Sequence, residues 1–251
     1  MRAFRWVFVL AGLLAPALAT YAAAPVPSAL GSGSTQHQPE KRPVRLLASD
    51  ASGLTVEMSF AAPGIEPLAE PAGRVRVTLG RSVPSNRLGH PELPVERFTI
   101  GVPHGAVVRT SATPGPVKEI GRFRVVPTPT ADIKSDSSGT QYAEPRFLED
   151  REAYGARGFH PASLVDVVSD GLTRDRRTVT VEVRPVQYDA SSRRLRAYSR
   201  ITVRVDFAGG QTSRRAGSRE STPFAEYFDR HLLNDQVANA WRVPAAPSQD
   251  A

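Results

Sequence analysis

Between Leu195 and Phe207 the chain alternates with almost no interruption. Leu195, Ala197, Ser199, Ile201, Val203, Val205 and Phe207 fall on one side, and Arg196, Tyr198, Arg200, Thr202, Arg204 and Asp206 on the other. Successive side chains of a strand point to opposite faces, so this period of two predicts a strand with one buried and one solvated face. Val179, Val181 and Val183 repeat the pattern within Thr178–Val186. The polar stretch Asp189–Arg194 between the two runs reads as a turn, so they are expected to pair as a hairpin. Leu54, Val56, Met58 and Phe60 alternate in the same way, as do Val75, Val77 and Leu79, and Val44–Ala48 is a short apolar run. Turns rich in Pro and Gly, and no helical period before residue 220, predict an all-β fold: an antiparallel β-sandwich over residues 44–208.

The ends have a different character. Arg2 and Arg5, the apolar run Trp6–Leu14 and the small residues Ala17-Leu18-Ala19 read as a secretory signal peptide within residues 1–24. Pro16 ends the apolar run well short of the about 20 residues that a membrane span needs, so no transmembrane segment is expected. The implied destination is outside the cytoplasm: periplasmic, cell-surface or extracellular. Residues 25–43, rich in Pro, Gly, Ser and Gln, are expected to form a disordered leader, because they carry too little apolar surface to order themselves. Residues 209–221 read as a polar linker. Thr222 as N-cap, Pro223 at the first helical position and Glu226 in the first turn then open a short C-terminal helix over 222–242. Phe224, Tyr227 and Phe228 form its apolar stripe, Asn234-Asp235 is expected to interrupt it, and residues 243–251 are a tail.

Charge narrows the partners. The formal net charge is +7, and loss of Arg2 and Arg5 with the signal lowers it by two. Lysine occurs only at 41, 118 and 134, so the excess is arginine. Arg76, Arg97, Arg109, Arg122, Arg124, Arg196, Arg200 and Arg204 are spread one or two per strand. A nucleic-acid site would favour a basic patch interleaved with stacking aromatics, so no nucleic-acid partner is expected. The chain has no cysteine. An exported domain of about 165 residues is large enough to hold itself together by core burial alone.

Two motifs carry a resemblance. The first is Gly89-His90-Pro91-Glu92-Leu93-Pro94, a strand, the turn Pro103-His104-Gly105 and a second strand through Val108. The prolines fix φ and keep their predecessors extended. The second runs from Tyr154 and Phe159-His160-Pro161 through Arg174-Asp175-Arg176-Arg177 and Val183-Arg184-Pro185-Val186-Gln187-Tyr188-Asp189 to Leu195–Val205. In this order the motifs resemble the N-terminal propeptide of gingipain-type cysteine proteases, peptidase family C25. Ala162-Ser163 and Asp189-Ala190 depart from the family's usual Gly and Asn-Pro, and both keep turn-forming character. The Phe- and Tyr-bearing C-terminal helix is also similar to the family's.

The resemblance implies a β-sandwich that chaperones and inhibits a cysteine protease by occupying its cleft. It implies no chemistry in this chain, because the enzyme's nucleophile is a cysteine. His104-Gly105 belongs to the propeptide turn. His37, His90, His160 and His231 show no metal-ligand spacing, Gly31-Ser32-Gly33 does not fit a nucleophile elbow, and Asp132 and Asp136 lack an EF-hand pattern. No catalytic residue, cofactor or metal is expected. The expected partner is a gingipain-type catalytic domain, met in trans or lost by truncation. The contact is expected from the loop Pro127–Tyr142, whose one basic residue is Lys134. The alternative is an adhesive or structural β-sandwich of the cell envelope that binds glycan or protein.

Overall fold

The computed structural model describes residues 44–210 and 222–242, with side chains from residue 225 in the second stretch. The expected signal peptide, leader and tail, and the linker from residue 211 on, lie outside the described residues, as does the side chain of Phe224. In chain order the strands are β1 (Val44–Asp50), β2 (Gly53–Ser59), β3 (Gly64–Pro67), β4 (Val75–Thr78), β5 (Val83–Pro84), β6 (Pro94–Val102), β7 (Val107–Pro114) and β8 (Val117–Arg122). They continue as β9 (Thr130–Ser135), β10 (Gln141–Arg146), β11 (Val165–Thr173), β12 (Arg176–Val183), β13 (Val186–Asp189), β14 (Arg194–Tyr198) and β15 (Arg200–Ala208). The helices are α1 (Arg151–Gly155), α2 (Thr222–His231) and α3 (Asp235–Ala238), followed by a 3₁₀ turn at Asn239–Trp241.

One sheet has the order β1-β2-β15-β7 and the facing sheet β11-β12-β6-β5, all antiparallel. The expected all-β sandwich is therefore the observed fold. Leu54, Val56 and Met58 of β2 stand opposite Val205, Val203 and Ile201 of β15. Across the sandwich Ile100 and Phe98 of β6 stand opposite Val179 and Val181 of β12. All ten are buried, and each fully buried aliphatic side chain contributes about 1.5–3 kcal/mol.

The pairing differs from the sequence expectation. β12 and β15 do not form a hairpin: β12 pairs with β6 and β11, and β15 pairs with β2 and β7. Only Val186–Asp189 and Arg194–Ala197 pair directly, as β13 and β14. Pro185, which has no N–H to give a ladder, ends β12, and its carbonyl accepts from Tyr198 N at 2.9 Å. Ser199 N donates outside the hairpin, to Pro116 O at 3.1 Å, and Ser199 O accepts from Phe60 N at 2.9 Å. Each long run thus changes sheet midway. The crossing also reverses two expected orientations: Tyr198 is buried, its hydroxyl donating to Gln187 Oε1 at 3.0 Å, and Ser199 is exposed.

β13, β14 and β8 form a third sheet over a second core of Val77, Leu79, Leu93, Val125, Val186, Tyr188, Leu195 and Ala197. The C-terminal segment covers the edge of β6 that β5 leaves open. Leu233 N donates to Thr99 O at 2.9 Å, and the Asn234 amide accepts from Gly101 N at 2.8 Å and donates to Gly101 O at 2.9 Å. This spends Asn234 on the sheet and separates α2 from α3. Phe228 is fully buried over the guanidinium of Arg176, which lies 4.1 Å from its ring centroid and pairs with Asp235. Trp241 meets Phe207 edge-on at 5.6 Å.

Two variants test this architecture. Val203→Ala should lower stability by about 1–3 kcal/mol, through lost transfer energy and a cavity, whereas Arg204→Ala should change it by less than about 0.5 kcal/mol; urea titration reads both, and the reverse order would contradict the assigned faces. Gly101→Ala would bring a Cβ within 2.3 Å of Ala238 Cβ, with the next contacts at 3.5 and 3.6 Å. It should destabilise the fold, and Ala238→Gly should recover part of that loss, a coupling that a double-mutant cycle measures.

Candidate functional site

The stretch Pro127–Tyr142, expected as a loop, is the greater part of a β-hairpin. β9 and β10 pair with each other in register, Ile133 opposite Ala143, Lys134 opposite Tyr142 and Asp132 opposite Glu144, and with no other strand among the described residues. The tip is built by Asp136. Its carboxylate Oδ1 accepts from Ser138 N at 2.8 Å, Thr140 N at 2.9 Å and Ser138 Oγ at 2.6 Å. Gly139, at φ 82°, supplies the left-handed residue that closes the turn. Asp136 and Gly139 between two β-prone runs are a hairpin signal, which the density of Ser around them obscures.

Lys134 sits on β9 beside this tip, about half exposed, and its ammonium pairs diagonally with the equally exposed Glu144 of β10. The Glu144 bond holds the lysine pKa above its ordinary value. An ion pair this exposed adds little to stability, so the ammonium can exchange partners at small cost. Ile133 at 61% and Tyr142 at 49% exposure give the ribbon apolar surface open to solvent.

An isolated two-stranded ribbon is marginal in water, so the base must fix it. The first foot is laddered to the Gly89–Glu92 segment: Gly89 N donates to Thr128 O at 2.9 Å, Thr128 N to His90 O at 2.8 Å and Glu92 N to Val126 O at 2.8 Å. The second foot closes on the same residue, with Asp150 N donating to Gly89 O at 3.0 Å. Gly89 has φ 78°, and a Cβ there would press within 3.2–3.3 Å of Asp150 and Leu148. Glu92 is buried and takes a bond from Arg76 Nε at 2.7 Å, while Leu93 enters the second core. Arg74 meets Glu149 at 2.6 Å, and the Tyr154 hydroxyl donates to Val125 O at 2.9 Å; burial pushes the tyrosine pKa well above its ordinary value. The Gly89–Pro94 motif is thus the clamp of the hairpin, a role its sequence did not disclose.

The structure does not bring the hairpin and the C-terminal stripe together as one apolar surface. Phe228 is in the core, and Tyr227, 44% exposed, stacks on His231 with ring centroids 4.2 Å apart. His104 is exposed in the turn after β6. Among the described residues no cluster of three or more His, Cys, Asp or Glu could hold a metal ion, and no helix is long and apolar enough to cross a membrane.

The geometry is thus a sandwich that carries one clamped, solvent-exposed two-stranded ribbon. The family model Propeptide_C25 matches residues 34–222, and the chain belongs to that family. Among curated proteins, Lys-gingipain of Porphyromonas gingivalis is 27% identical over 168 residues, 64% of this chain and 10% of that protein. Lys-gingipain HG66 of the same organism matches to the same extent. The match thus spans about a tenth of the length of these relatives. Among solved structures, the complex of Porphyromonas gingivalis RgpB pro- and mature domains superposes with TM-score 0.64 at 18% identity, over 78% of this chain and 99% of that one. A structure addressing the zymogenic latency of gingipain K from the same organism superposes with TM-score 0.54 at 20% identity, over 68% of this chain and 94% of that one. Both likenesses are of fold.

The tip has a defined pH response. Hydrogen bonds from Ser138 and from the Thr140 amide depress the Asp136 pKa below its ordinary 3.8. Its capping is therefore complete above pH 3.8 and lost as pH falls through the lower folded value. The protection of the Ser138 and Thr140 amides, taken relative to intrinsic exchange at the same pH, should fall only in that acid range, as NMR would record; protection already lost at neutral pH would contradict the cap.

Proposed function

We propose that this chain is an exported, non-catalytic propeptide module that binds the catalytic domain of a gingipain-type cysteine protease and blocks its cleft with the β9–β10 hairpin. The observation that carries this reading is the placement of Lys134: the one lysine of the hairpin, beside a rigid turn, on a ribbon that projects from a clamped base. Family membership and the likeness to prodomain structures support it. With no cysteine in its sequence, the chain cannot supply a cysteine nucleophile of its own.

The physical steps are few. The clamp at Gly89 fixes the ribbon before binding, which reduces the entropy lost when a partner closes around it. A protease that prefers basic residues offers a carboxylate at the base of its pocket. The Lys134 ammonium leaves its exposed pair with Glu144 and meets that carboxylate in a drier site, a charge-assisted bond worth about 1.5–3 kcal/mol. Ile133 and Tyr142 gain burial on the cleft walls. Export follows from the signal-like N-terminus, which lies outside the described residues.

The test mixes the protein, without residues 1–24, with a lysine-specific gingipain-type protease and compares Lys134→Ala. The inhibition constant of the variant should rise about tenfold or more. Glu144→Gln, which frees the ammonium, should inhibit at least as well as the parent. Equal inhibition by parent and Lys134→Ala, or none by either, would contradict the assignment.

A further inference from the structure

We propose that a shallow depression between the end of β8, the entry to β4 and the β13–β14 turn is a second binding site, which takes a sulfate or phosphate ester carried on a saccharide. It is open to solvent, with a volume of about 560 Å³, and Arg122, Arg124 and Arg193 line it together with Phe123, Val75, Gly73 and Ser192. No acidic side chain lines it. The arginines of this chain are otherwise spread over the strands, so the convergence of residues about seventy positions apart is a product of the fold.

Their local chemistry leaves them available. Arg122 and Arg193 form no salt bridge with another described residue. Arg124 reaches Glu149 only at 3.6 Å, and Glu149 is held more closely by Arg74 at 2.6 Å. Arg122 also stands directly across the ladder from Arg194, whose guanidinium is committed to Glu119 at 2.9 and 2.7 Å. Glu119 lies within electrostatic reach of Arg122 as well and offsets part of the repulsion between the two facing guanidiniums; a bound anion offsets more of it.

The site is also preset. Arg193 has φ 59°, a left-handed backbone that residues other than glycine rarely adopt and that recurs at binding sites. Its carbonyl accepts from Phe123 N at 2.8 Å, and Asp189 Oδ1 ties the same turn by accepting from Ser191 Oγ at 2.7 Å and Ser192 N at 3.2 Å. Guanidinium groups offer planar forks of donors that match tetrahedral oxyanions. The half-buried Phe123 ring and Val75 give the wall an apolar face against which a sugar ring can lie. One ring does not make the series of stacking platforms that a single-stranded nucleic acid would need.

Calorimetry of the full chain at low salt with a sulfated disaccharide tests the site, with the desulfated sugar, inorganic sulfate and a short oligonucleotide as comparison probes. Arg122→Ala with Arg193→Ala should weaken binding of the sulfated sugar about tenfold or more. Arg109→Ala with Arg200→Ala, equal in charge and exposed on β7 and β15, should leave it unchanged. Equal loss in the two double variants would reduce the effect to net charge and overturn the site. So would binding of the desulfated sugar as tight as that of the sulfated one. Inorganic sulfate binding as tightly as the sulfated sugar, or an oligonucleotide binding more tightly, would overturn the saccharide assignment.

Discussion

A short ladder of backbone hydrogen bonds supports everything that projects from this sandwich. Gly89 and His90 bind Thr128, Glu92 binds Val126, and Gly89 also receives Asp150, so both feet of the β9–β10 ribbon rest on one segment. The ladder works because Gly89 has no Cβ to push Asp150 away and because Leu93 anchors the segment in the second core. A ribbon that would be marginal alone is thereby held in one orientation while both of its faces stay in water. Rigidity at the base and exposure at the tip belong to different residues.

The same division appears in the cores. Two long strands begin in one sheet and end in another, and the crossings at Pro185 and Ser199 separate the main core from the smaller one under β13 and β14. The smaller core carries the clamp. The main core carries the C-terminal segment, which fills the open edge of β6 through Asn234 and buries Phe228 over Arg176. Covering that edge removes unpaired donors and acceptors that would otherwise invite another strand. The stripe expected on the C-terminal helix is in this way divided between the core and solvent, Phe228 buried and Tyr227 half exposed.

Much of this was legible in the sequence. The alternation at 195–207 places Ile201, Val203 and Val205 inward because strand geometry leaves no other choice. Pairing partners were not legible, since alternation gives faces and says nothing of neighbours; Pro185 was the available sign that one run would be cut. Tyr198 and Ser199 were misplaced for the same reason, because a strand that changes sheet rotates between its two halves. Lys134 could be singled out by being the one lysine in its stretch. Its partner Glu144 could not, because the register that brings them together depends on the Asp136 turn. The convergence of Arg122, Arg124 and Arg193 was hidden altogether, since it exists only after β8 and the β13–β14 turn have met.

Hydrogen exchange of the full chain, alone and with a gingipain-type catalytic domain whose cysteine is replaced, tests the central claim that the clamped ribbon is the contact device. Residues 130–146 should gain the largest protection, with the clamp at 89–92 already protected in the free chain and little changed. Protection centred on residues 222–242 or on the β11 edge, with the ribbon exchanging as in the free chain, would contradict it.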